Sequence, residues 1–322
     1  MKKSIIVTGI GGVVGQGILR NITDCKPDAD IVGVNVVKVS AGNYLCDRVY
    51  EVPFSYDPAY IPAMQEICKK ENVALIIPST DYESFYLAEN KALFDCTVAA
   101  SPSYITKMCL DKFSNFEGFS KYDIPFASSV LPSGYTGQFD ACIVKPREGR
   151  GSRNIFVNPP DPTSFDDTYV VQQYLEGPEI TTTFYVRKDG TLHGLITFVR
   201  ELEQGNTAKA EVVMDYDGQM QDMIRKILLH YHFRGSCNIQ SRVTENGIIP
   251  FEINCRISGT NSIRSQFGFK DVAYTVQEYF LNEVPEMPDV KPGTALRVIL
   301  DIIYPGKKLN EICNKNDSFY IR

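Results

Sequence analysis

Strand-like and helix-like hydrophobic patterns alternate along the first third of the chain. Ser4 to Thr8 is an apolar run typical of a buried parallel strand, and helically spaced apolar residues follow it. A second strand at Ile31 to Val37, a helix from Pro58 to Glu71 and a strand at Val73 to Ile77 continue the alternation. Strands that alternate with helices predict a doubly wound parallel sheet, so we expect residues 1–105 to form an α/β domain.

A glycine-rich turn joins the first predicted strand to the first predicted helix. It reads Gly9-Ile10-Gly11-Gly12-Val13-Val14-Gly15-Gln16-Gly17, which is GxGxxxG and not the GxGxxG of dinucleotide-binding folds. Asn35 also stands where the ribose-binding acid of such folds is expected. We therefore favour tight turning and close helix packing over cofactor binding as the reason for these glycines.

Two acidic residues, Asp81 and Glu83, follow the strand that ends at Ile77. The carboxyl end of a parallel strand is where ligands of such sheets bind. Acidic side chains also stabilise the first turn of a helix, and we prefer this capping role for both residues.

Beyond Met108 the pattern changes to a helix that contains Lys112 and Phe116, followed mainly by strands. The apolar strand at 142–146 carries Lys145, and the loop 147–153 behind it is rich in glycine and arginine. Such a loop can close over a polyphosphate, or it can be a solvated hairpin tip. The sequence leaves both alternatives open at this point.

The run from Tyr169 to Glu179 is predicted to be a strand that leads into a short connection, and another predicted strand, Ile180 to Val186, follows it. The backbone of such a connector can hydrogen-bond an adenine edge, and Glu179 at its end can hold ribose hydroxyls. Taken alone this signal is weak.

The stretch from Phe251 to Gly259 carries Glu252, Asn254 and Arg256 at alternating positions behind an apolar run. On a strand these three side chains share one face. Carboxylate and amide oxygens suit Mg²⁺, and arginine suits a phosphate. A turn at 244–247 would place Gln240 beside Glu252, which predicts a nucleotide and metal face, with a solvated edge hairpin as the alternative.

Composition narrows the function classes. The chain has 322 residues, 43% of them hydrophobic and 22% charged, with a net charge of −6, so bulk nucleic-acid binding is not expected. The nine cysteines lack metal-ligand spacing, and we interpret them as buried reduced thiols of a cytoplasmic protein. The apolar start is too short for a signal peptide, and no stretch reaches membrane-spanning length.

Five motifs in order resemble the ATP-grasp superfamily, and most of all the ATP-binding unit of carbamoyl-phosphate synthase large subunits and related carboxylate-amine ligases. They are Lys112, Val144-Lys145-Pro146 with its glycine-rich loop, the run from Val171 to Glu179, Gln240, and Glu252-Ile253-Asn254-Cys255-Arg256. The resemblance implies an α/β plus α+β protein. Its parts would be a pre-ATP-grasp domain at 1–105, a small lobe at 106–175 with a lid loop at 147–153, and a large lobe with a C-terminal tail at 176–322.

The resemblance also implies site roles. The residues that would contact ATP are Lys112 and Lys145 at the phosphates, Gly149, Gly151 and Ser152 in the lid, Gln173, Tyr174 and Leu175 at the adenine, and Glu179 at the ribose. Those that would hold Mg²⁺, or Mn²⁺ in its place, are Gln240, Glu252 and Asn254. Arg256 would face the γ-phosphate or an acyl phosphate. Arg200 is a candidate for the substrate carboxylate, with a surface ion pair to a neighbouring acid as the alternative.

The sequence departs from the family pattern at Gln172, where many relatives have an acid, and at Cys255, where proline is usual. The chain holds one ATP-grasp unit, so carbamoyl-phosphate synthesis by it alone is not expected. The resemblance implies a Mg-ATP-dependent ligase that activates a small carboxylate as an acyl phosphate, joins it to an amine, and releases ADP and phosphate. Small molecules would be its partners, without nucleic acid or membrane, and a homodimer is expected. The alternatives are a regulatory or scaffold module that binds ATP and, more remotely, an NAD(P)-dependent reductase.

Overall fold

The structure is a computed structural model in which residues 2–149 and 154–322 are described. Gly151 and Ser152, and with them the centre of the predicted lid loop at 147–153, lie outside the described residues.

The N-terminal part is a five-stranded parallel sheet of order β3-β2-β1-β4-β5. Its strands are β1 (Ser4–Val7), β2 (Asp30–Asn35), β3 (Arg48–Glu51), β4 (Val73–Ile77) and β5 (Thr97–Val98). Its helices are α1 (Val13–Cys25), α2 (Tyr60–Lys70) and α3 (Asp81–Glu89). Alternate residues of β1 bury on opposite faces, Ile5 and Val7 in one apolar cluster and Ile6 in another. The predicted doubly wound sheet is confirmed.

Two helices lead from this sheet into the second half of the chain. They are α4 (Ser103–Leu110) and α5 (Lys112–Ser120), and the predicted helix with Lys112 and Phe116 is the second of them. Asp111 separates them because its side chain accepts hydrogen bonds from the first N–H groups of α5. Both helices contribute to the same apolar core as the large sheet described below.

A small antiparallel sheet of order β6-β9-β7-β8 follows. Its strands are β6 (Ser129–Val130), β7 (Cys142–Pro146), β8 (Phe156–Val157) and β9 (Tyr169–Gln173). Lys145 is the fourth residue of β7, so the strand delivers the lysine as predicted.

A six-stranded antiparallel sheet of order β14-β13-β10-β11-β12-β15 forms the second large layer. Its strands are β10 (Glu179–Val186), β11 (Leu192–Glu203), β12 (Asn206–Val213), β13 (Gly235–Thr244), β14 (Gly247–Asn254) and β15 (Thr294–Leu296). The helices of this region are α6 (Asp217–His230), α7 (Asn261–Arg264), α8 (Asp271–Val276) and a π-helical turn at Gln277–Leu281. Short 3-10 turns lie at Asn43–Leu45, Lys91–Leu93, Pro132–Gly134, Pro162–Ser164, Ser265–Phe267 and Leu309–Glu311.

The tail after β15 does not extend the large sheet. The chain leaves the large sheet after β15 and forms a separate two-stranded ladder of β16 (Ile302–Ile303) and β17 (Tyr320–Ile321). Ile299, which lies between β15 and β16, is 95% exposed. Apolar residues with strand propensity extend a sheet only where a neighbouring strand or core receives them, and these have neither.

The parallel sheet and the large antiparallel sheet pack together through α1. Gly17 of α1 lies against Asn261 of α7, where a Cβ would sit 2.2 Å from the amide oxygen, and Asn21 donates to that oxygen at 3.1 Å. Gly15 approaches the carbonyl of Gly9 as closely, and Gly9 itself has φ +56°. The glycines of the first turn therefore serve tight turning and close packing, as predicted.

Other residue predictions have mixed outcomes. All nine cysteines lie in the described residues and are free, but Cys25 and Cys313 are exposed and Cys68 and Cys96 are only partly buried. His193 is buried and hydrogen-bonds the carbonyl of Glu286, and His230 stacks on Tyr122. Among the described residues no helix is long and apolar enough to cross a membrane. The domain limits 1–105, 106–175 and 176–322 remain a proposal.

Candidate nucleotide and metal site

The hairpin of β13 and β14 carries the first part of the site. Its register pairs Gln240 with Glu252 and Asn238 with Asn254, so the predicted pairing is confirmed. The Asn254 amide donates from Nδ2 to Glu252 Oε1 at 3.1 Å. A carboxylate and an amide oxygen thus lie side by side at the end of β14.

Glu252 is surrounded by positive charge. Burial raises the pKa of its carboxyl, but Lys112 and Lys145, the hydrogen bond from Asn254 and the charge of Arg256 bring the pKa below its ordinary value. The carboxylate is therefore ionised at neutral pH and available to a cation.

Lys145 projects from β7 into the same region. Its Nζ lies 3.4 Å from the carbonyl of Phe251 and 5.4 Å from the centre of that ring, and its side chain is buried. Burial, together with the smaller effect of the neighbouring Lys112 charge, lowers its pKa to about 8 against the opposing effect of Glu252 and Glu179. A buried lysine in this state gains from an anionic ligand, since the ligand favours its charged form.

Lys112 begins α5 and holds the start of the glycine-rich loop. Its Nζ donates to the carbonyl of Gly149 at 3.2 Å, and its backbone N–H donates to the carbonyl of Arg147 at 3.0 Å. The Arg147 guanidinium forms an ion pair with Asp111, the residue that caps α5. The Arg147 charge is therefore committed to Asp111 and does not face a polyphosphate.

A pocket joins these groups to the N-terminal sheet. It is lined by Asp81, Tyr82, Cys109, Leu110, Lys112, Gly149, Glu252 and Asn254. At its edge the Tyr82 hydroxyl donates to Glu148 at 3.0 Å. Among the described residues no group of three or more His, Cys, Asp or Glu side chains is arranged for a metal. The oxygens of Glu252 and Asn254 nevertheless fit Mg²⁺, which accepts a mixture of carboxylate, amide, water and phosphate oxygens.

Gln240, the third predicted metal ligand, has a protein partner. Its Oε1 accepts from Arg200 Nη2 at 2.5 Å, and the same guanidinium donates to Glu179 Oε1 at 3.0 Å. Arg200 thus has an ion pair, but with Glu179 on β10 and not with the adjacent Glu201, which pairs with Lys209. A metal at Gln240 would have to displace Arg200 from the amide oxygen.

The predicted adenine connector lies between β9 and β10. The N–H groups of Gln173 and Tyr174 donate to the carbonyls of Ser128 and Ala141 at 2.8 and 2.9 Å. These two N–H groups are therefore engaged within the small sheet. An adenine base at this connector would have to bind other groups of the connector, such as the backbone groups of Leu175.

Arg256 reaches across to the N-terminal sheet. Its Nη2 donates to Asp81 Oδ2 at 2.9 Å, and both side chains are more than four-fifths buried. Asp81 and Glu83 both lie in the first turn of α3, as predicted, while the N-cap itself is Thr80, whose hydroxyl accepts from the Glu83 N–H at 3.2 Å. Glu83 accepts from Thr8 at 2.7 Å and from Thr80 at 2.8 Å, and burial raises its pKa. Sequence reasoning missed the pair of Asp81 and Arg256 because 175 residues separate them.

Two family models match the chain. Residues 165–301 match the model described as ATP-grasp in the biosynthetic pathway with Ter operon, and residues 17–99 match the PylC-like N-terminal domain. A comparison with curated proteins finds no match.

Solved structures with a similar fold are ATP-grasp proteins at low sequence identity. N5-carboxyaminoimidazole synthetase from Staphylococcus aureus, complexed with ADP, is 14% identical, with a TM-score of 0.74 over 92% of this chain and 82% of that one. The biotin carboxylase domain of 2-oxoglutarate carboxylase from Hydrogenobacter thermophilus is 13% identical, with a TM-score of 0.67 over 91% and 74%. L-amino acid ligase from Bacillus licheniformis is 11% identical, with a TM-score of 0.69 over 87% and 74%.

The family models and the fold agree with the five motifs. The similarity to the S. aureus synthetase extends over 92% of this chain, which contains the parallel sheet and both antiparallel sheets. Residues 165–301 therefore match an ATP-grasp domain and residues 17–99 a PylC-like N-terminal domain, and the chain as a whole has the fold of the comparison structures.

Proposed function

We propose that the protein is a Mg-ATP-dependent ligase that activates a small-molecule carboxylate as an acyl phosphate and joins it to an amine. The observation that carries the proposal is the convergence of Lys112 and Lys145 on the oxygens of Glu252 and Asn254. Two cations beside a half-buried carboxylate and an amide suit a polyphosphate and a hard metal ion.

Each residue of the site has a task in this reaction. Lys112 and Lys145 neutralise the phosphates of ATP, and Lys145 is held rigidly enough to do so because β7 buries it. Glu252 and Asn254 would hold Mg²⁺, which supplies further neutralisation of phosphate charge when it is bound. Arg256 stabilises the transferred phosphoryl group as a bidentate donor.

The bonds that form and break balance without an enzyme nucleophile. A carboxylate oxygen of the substrate attacks the γ-phosphorus, the bond to the β-phosphate oxygen breaks, and ADP leaves. The amine then attacks the carbonyl carbon, the carbon–oxygen bond to phosphate breaks, and the amine loses a proton. The protein contributes alignment and charge stabilisation.

The comparison proteins support the same reaction class. The S. aureus synthetase was crystallised with ADP, the H. thermophilus domain with MgADP and bicarbonate, and the B. licheniformis protein is named an amino acid ligase. None of these names fixes the carboxylate or the amine for this chain.

Nucleotide analysis tests the proposal. The protein is incubated with Mg-ATP and pooled small carboxylates and amines, and nucleotides and product masses are measured. We expect ADP and phosphate in step with a coupled product, and only when carboxylates are present. AMP and pyrophosphate in step with the product would overturn the acyl-phosphate route. Firm ATP binding without turnover across broad pools would favour the regulatory module.

A further inference from the structure

Two cysteines of the parallel-sheet domain lie against each other, away from the nucleotide site. Cys68 is on α2, Cys96 directly precedes β5, and their Sγ atoms are 3.9 Å apart. Both side chains are only partly buried, so a small oxidant dissolved in water can reach them. Neither residue lines the pocket that contains Glu252, and the proposed ligase chemistry uses neither thiol.

The two segments that carry these thiols are fixed side by side. Three residues before Cys68, the Gln65 amide donates at 2.9 Å to the carbonyl of Leu93, which lies three residues before Cys96. Both cysteines also pack against the apolar cluster that contains Ile6 of β1. The sulfurs would have to approach by about 2 Å to reach the length of a disulfide bond, a movement within reach of rotamer changes in two cysteine side chains.

The contact between the thiols favours a thiolate at Cys96. In the reduced pair Cys96 donates to Cys68, and once Cys96 has lost its proton the Cys68 thiol can donate in return. This hydrogen bond lowers the pKa of Cys96, against the opposing effects of burial and of the Asp95 charge. Because the thiolate is the nucleophile, Cys96 is suited to attack an oxidant and Cys68 to resolve the product.

We propose that Cys68 and Cys96 form a reversible disulfide when the protein meets hydrogen peroxide, and that this bond stabilises the parallel sheet. The Cys96 thiolate attacks one peroxide oxygen, the O–O bond breaks, and the leaving hydroxide takes up a proton, which leaves a sulfenic acid on Cys96. The Cys68 sulfur then attacks that sulfenic sulfur, and the hydroxyl group leaves with the Cys68 proton as water. Two thiols are oxidised and one peroxide is reduced to two waters. This modification is independent of the proposed ligase activity.

The disulfide would close a loop that contains part of the parallel sheet. Cys68 and Cys96 are 28 positions apart, and β4 and α3 lie between them. The first turn of α3 carries Asp81 and Tyr82, which line the pocket that contains Glu252. A cross-link of this span restricts the unfolded chain, so we expect oxidation to raise the unfolding temperature by about 5 °C or more.

Peptide mapping tests whether the bond forms. The reduced full chain is treated with hydrogen peroxide under native conditions, the remaining thiols are alkylated in urea, and the digest is analysed by mass spectrometry without reductant. We expect a linked pair of peptides that contain Cys68 and Cys96, which treatment with dithiothreitol separates. Cys109, Cys237 and Cys255, in the core beside the large sheet, should stay reduced and serve as internal controls.

Single replacements separate the roles of the two thiols. They are made in a chain with Cys25→Ser and Cys313→Ser, which removes the two exposed cysteines. In Cys68→Ser the sulfenic acid on Cys96 should accumulate and be trapped by dimedone. In Cys96→Ser we expect Cys68 to react with peroxide about tenfold more slowly, because it lacks the thiolate. Equal labelling of the two variants would contradict the assigned roles.

Thermal unfolding in the same background provides the second measurement. Peroxide should raise the unfolding temperature of the chain that keeps both Cys68 and Cys96, dithiothreitol should reverse the rise, and Cys96→Ser should show no rise. A linked peptide without any rise would contradict the stabilising role. A link that forms only after the chain is unfolded in urea, or oxidation confined to Cys25 and Cys313 in the unaltered chain, would overturn the proposal.

Discussion

The guanidinium of Arg256 lies 2.9 Å from the carboxylate of Asp81, and this pair joins the strand end that carries Glu252 and Asn254 to the first turn of α3. The N-terminal domain is thereby part of the site and not only a support for it. A ligand that takes the Nη2 group of Arg256 has to compete with Asp81 for it.

Replacement of Glu252 tests the metal face. Glu252→Gln keeps the shape of the side chain but removes the charge that attracts a cation, so we expect the Mg-dependent affinity for ATP to fall roughly tenfold or more. Calorimetric titration of ATP with and without Mg²⁺ measures the change. Glu245→Gln, in the turn of the same hairpin, should bind like the unaltered protein. Equal Mg-dependent affinity in the two variants would remove the proposed metal ligand.

We expect Lys145→Met to weaken ATP binding and, at neutral pH, to raise the free energy of unfolding. Burial lowers the pKa of Lys145 from 10.5 to about 8. Below pH 8 the buried, protonated ammonium therefore lowers the free energy of unfolding by about 3 kcal/mol. That cost declines as the pH rises from 8 and is gone above 10.5. We therefore expect the variant to unfold at higher denaturant concentration at pH 7, to lose this advantage near pH 10.5, and to bind ATP weakly.

The control for Lys145→Met is Lys209→Met, at a lysine whose side chain is 57% exposed. It should alter neither ATP affinity nor the pH dependence of stability. ATP affinity that survives Lys145→Met would show that this lysine does not contact the phosphates.

Gly17→Ala tests the packing of the two domains. A Cβ there would lie 2.2 Å from the Asn261 amide oxygen, so we expect a loss of about 1–3 kcal/mol in the free energy of unfolding. Gly218→Ala, in the exposed first turn of α6 with no atom within 4 Å of its Cβ, should be neutral or gain about 0.5–1 kcal/mol. Urea denaturation compares the two, and equal stabilities would contradict the close contact.

Asp271→Ala tests the buried ion pair below the large sheet. Arg264 and Asp271 are fully buried and joined by two hydrogen bonds, so removal of the carboxylate leaves an unpaired buried guanidinium. We expect a loss of about 3–5 kcal/mol in urea denaturation. Asp289→Ala removes an exposed carboxylate that pairs with Lys291 and should change stability by less than about 0.5 kcal/mol. A small effect at Asp271 would mean that water or another group satisfies Arg264.

Local sequence patterns predict much of the candidate site. The short turn between β13 and β14 fixes their register, so the sequence alone predicts that Gln240 faces Glu252. The strand that delivers Lys145 and the helix that contains Lys112 follow equally from the hydrophobic pattern.

Contacts between distant segments were not predictable from these patterns. Arg200 and Gln240 are brought together because β10 lies between β11 and β13, a strand order that no local signal encodes. The ion pair of Asp81 with Arg256 depends on the packing of two domains. The tail after Leu296 has strand-forming residues but no neighbouring strand, so propensity alone was misleading there.

The fate of a carboxylate oxygen tests the proposed ligase most directly. Carboxylates labelled with ¹⁸O are incubated with the protein, Mg-ATP and amines, and the released phosphate is analysed by mass spectrometry. Attack by the carboxylate on the γ-phosphorus predicts one ¹⁸O atom in each phosphate released with ADP, since the bond from carbon to that oxygen breaks when the amine attacks. Unlabelled phosphate would mean that water attacks ATP. AMP with pyrophosphate would mean that the carboxylate is adenylated. Either result would contradict the acyl-phosphate route.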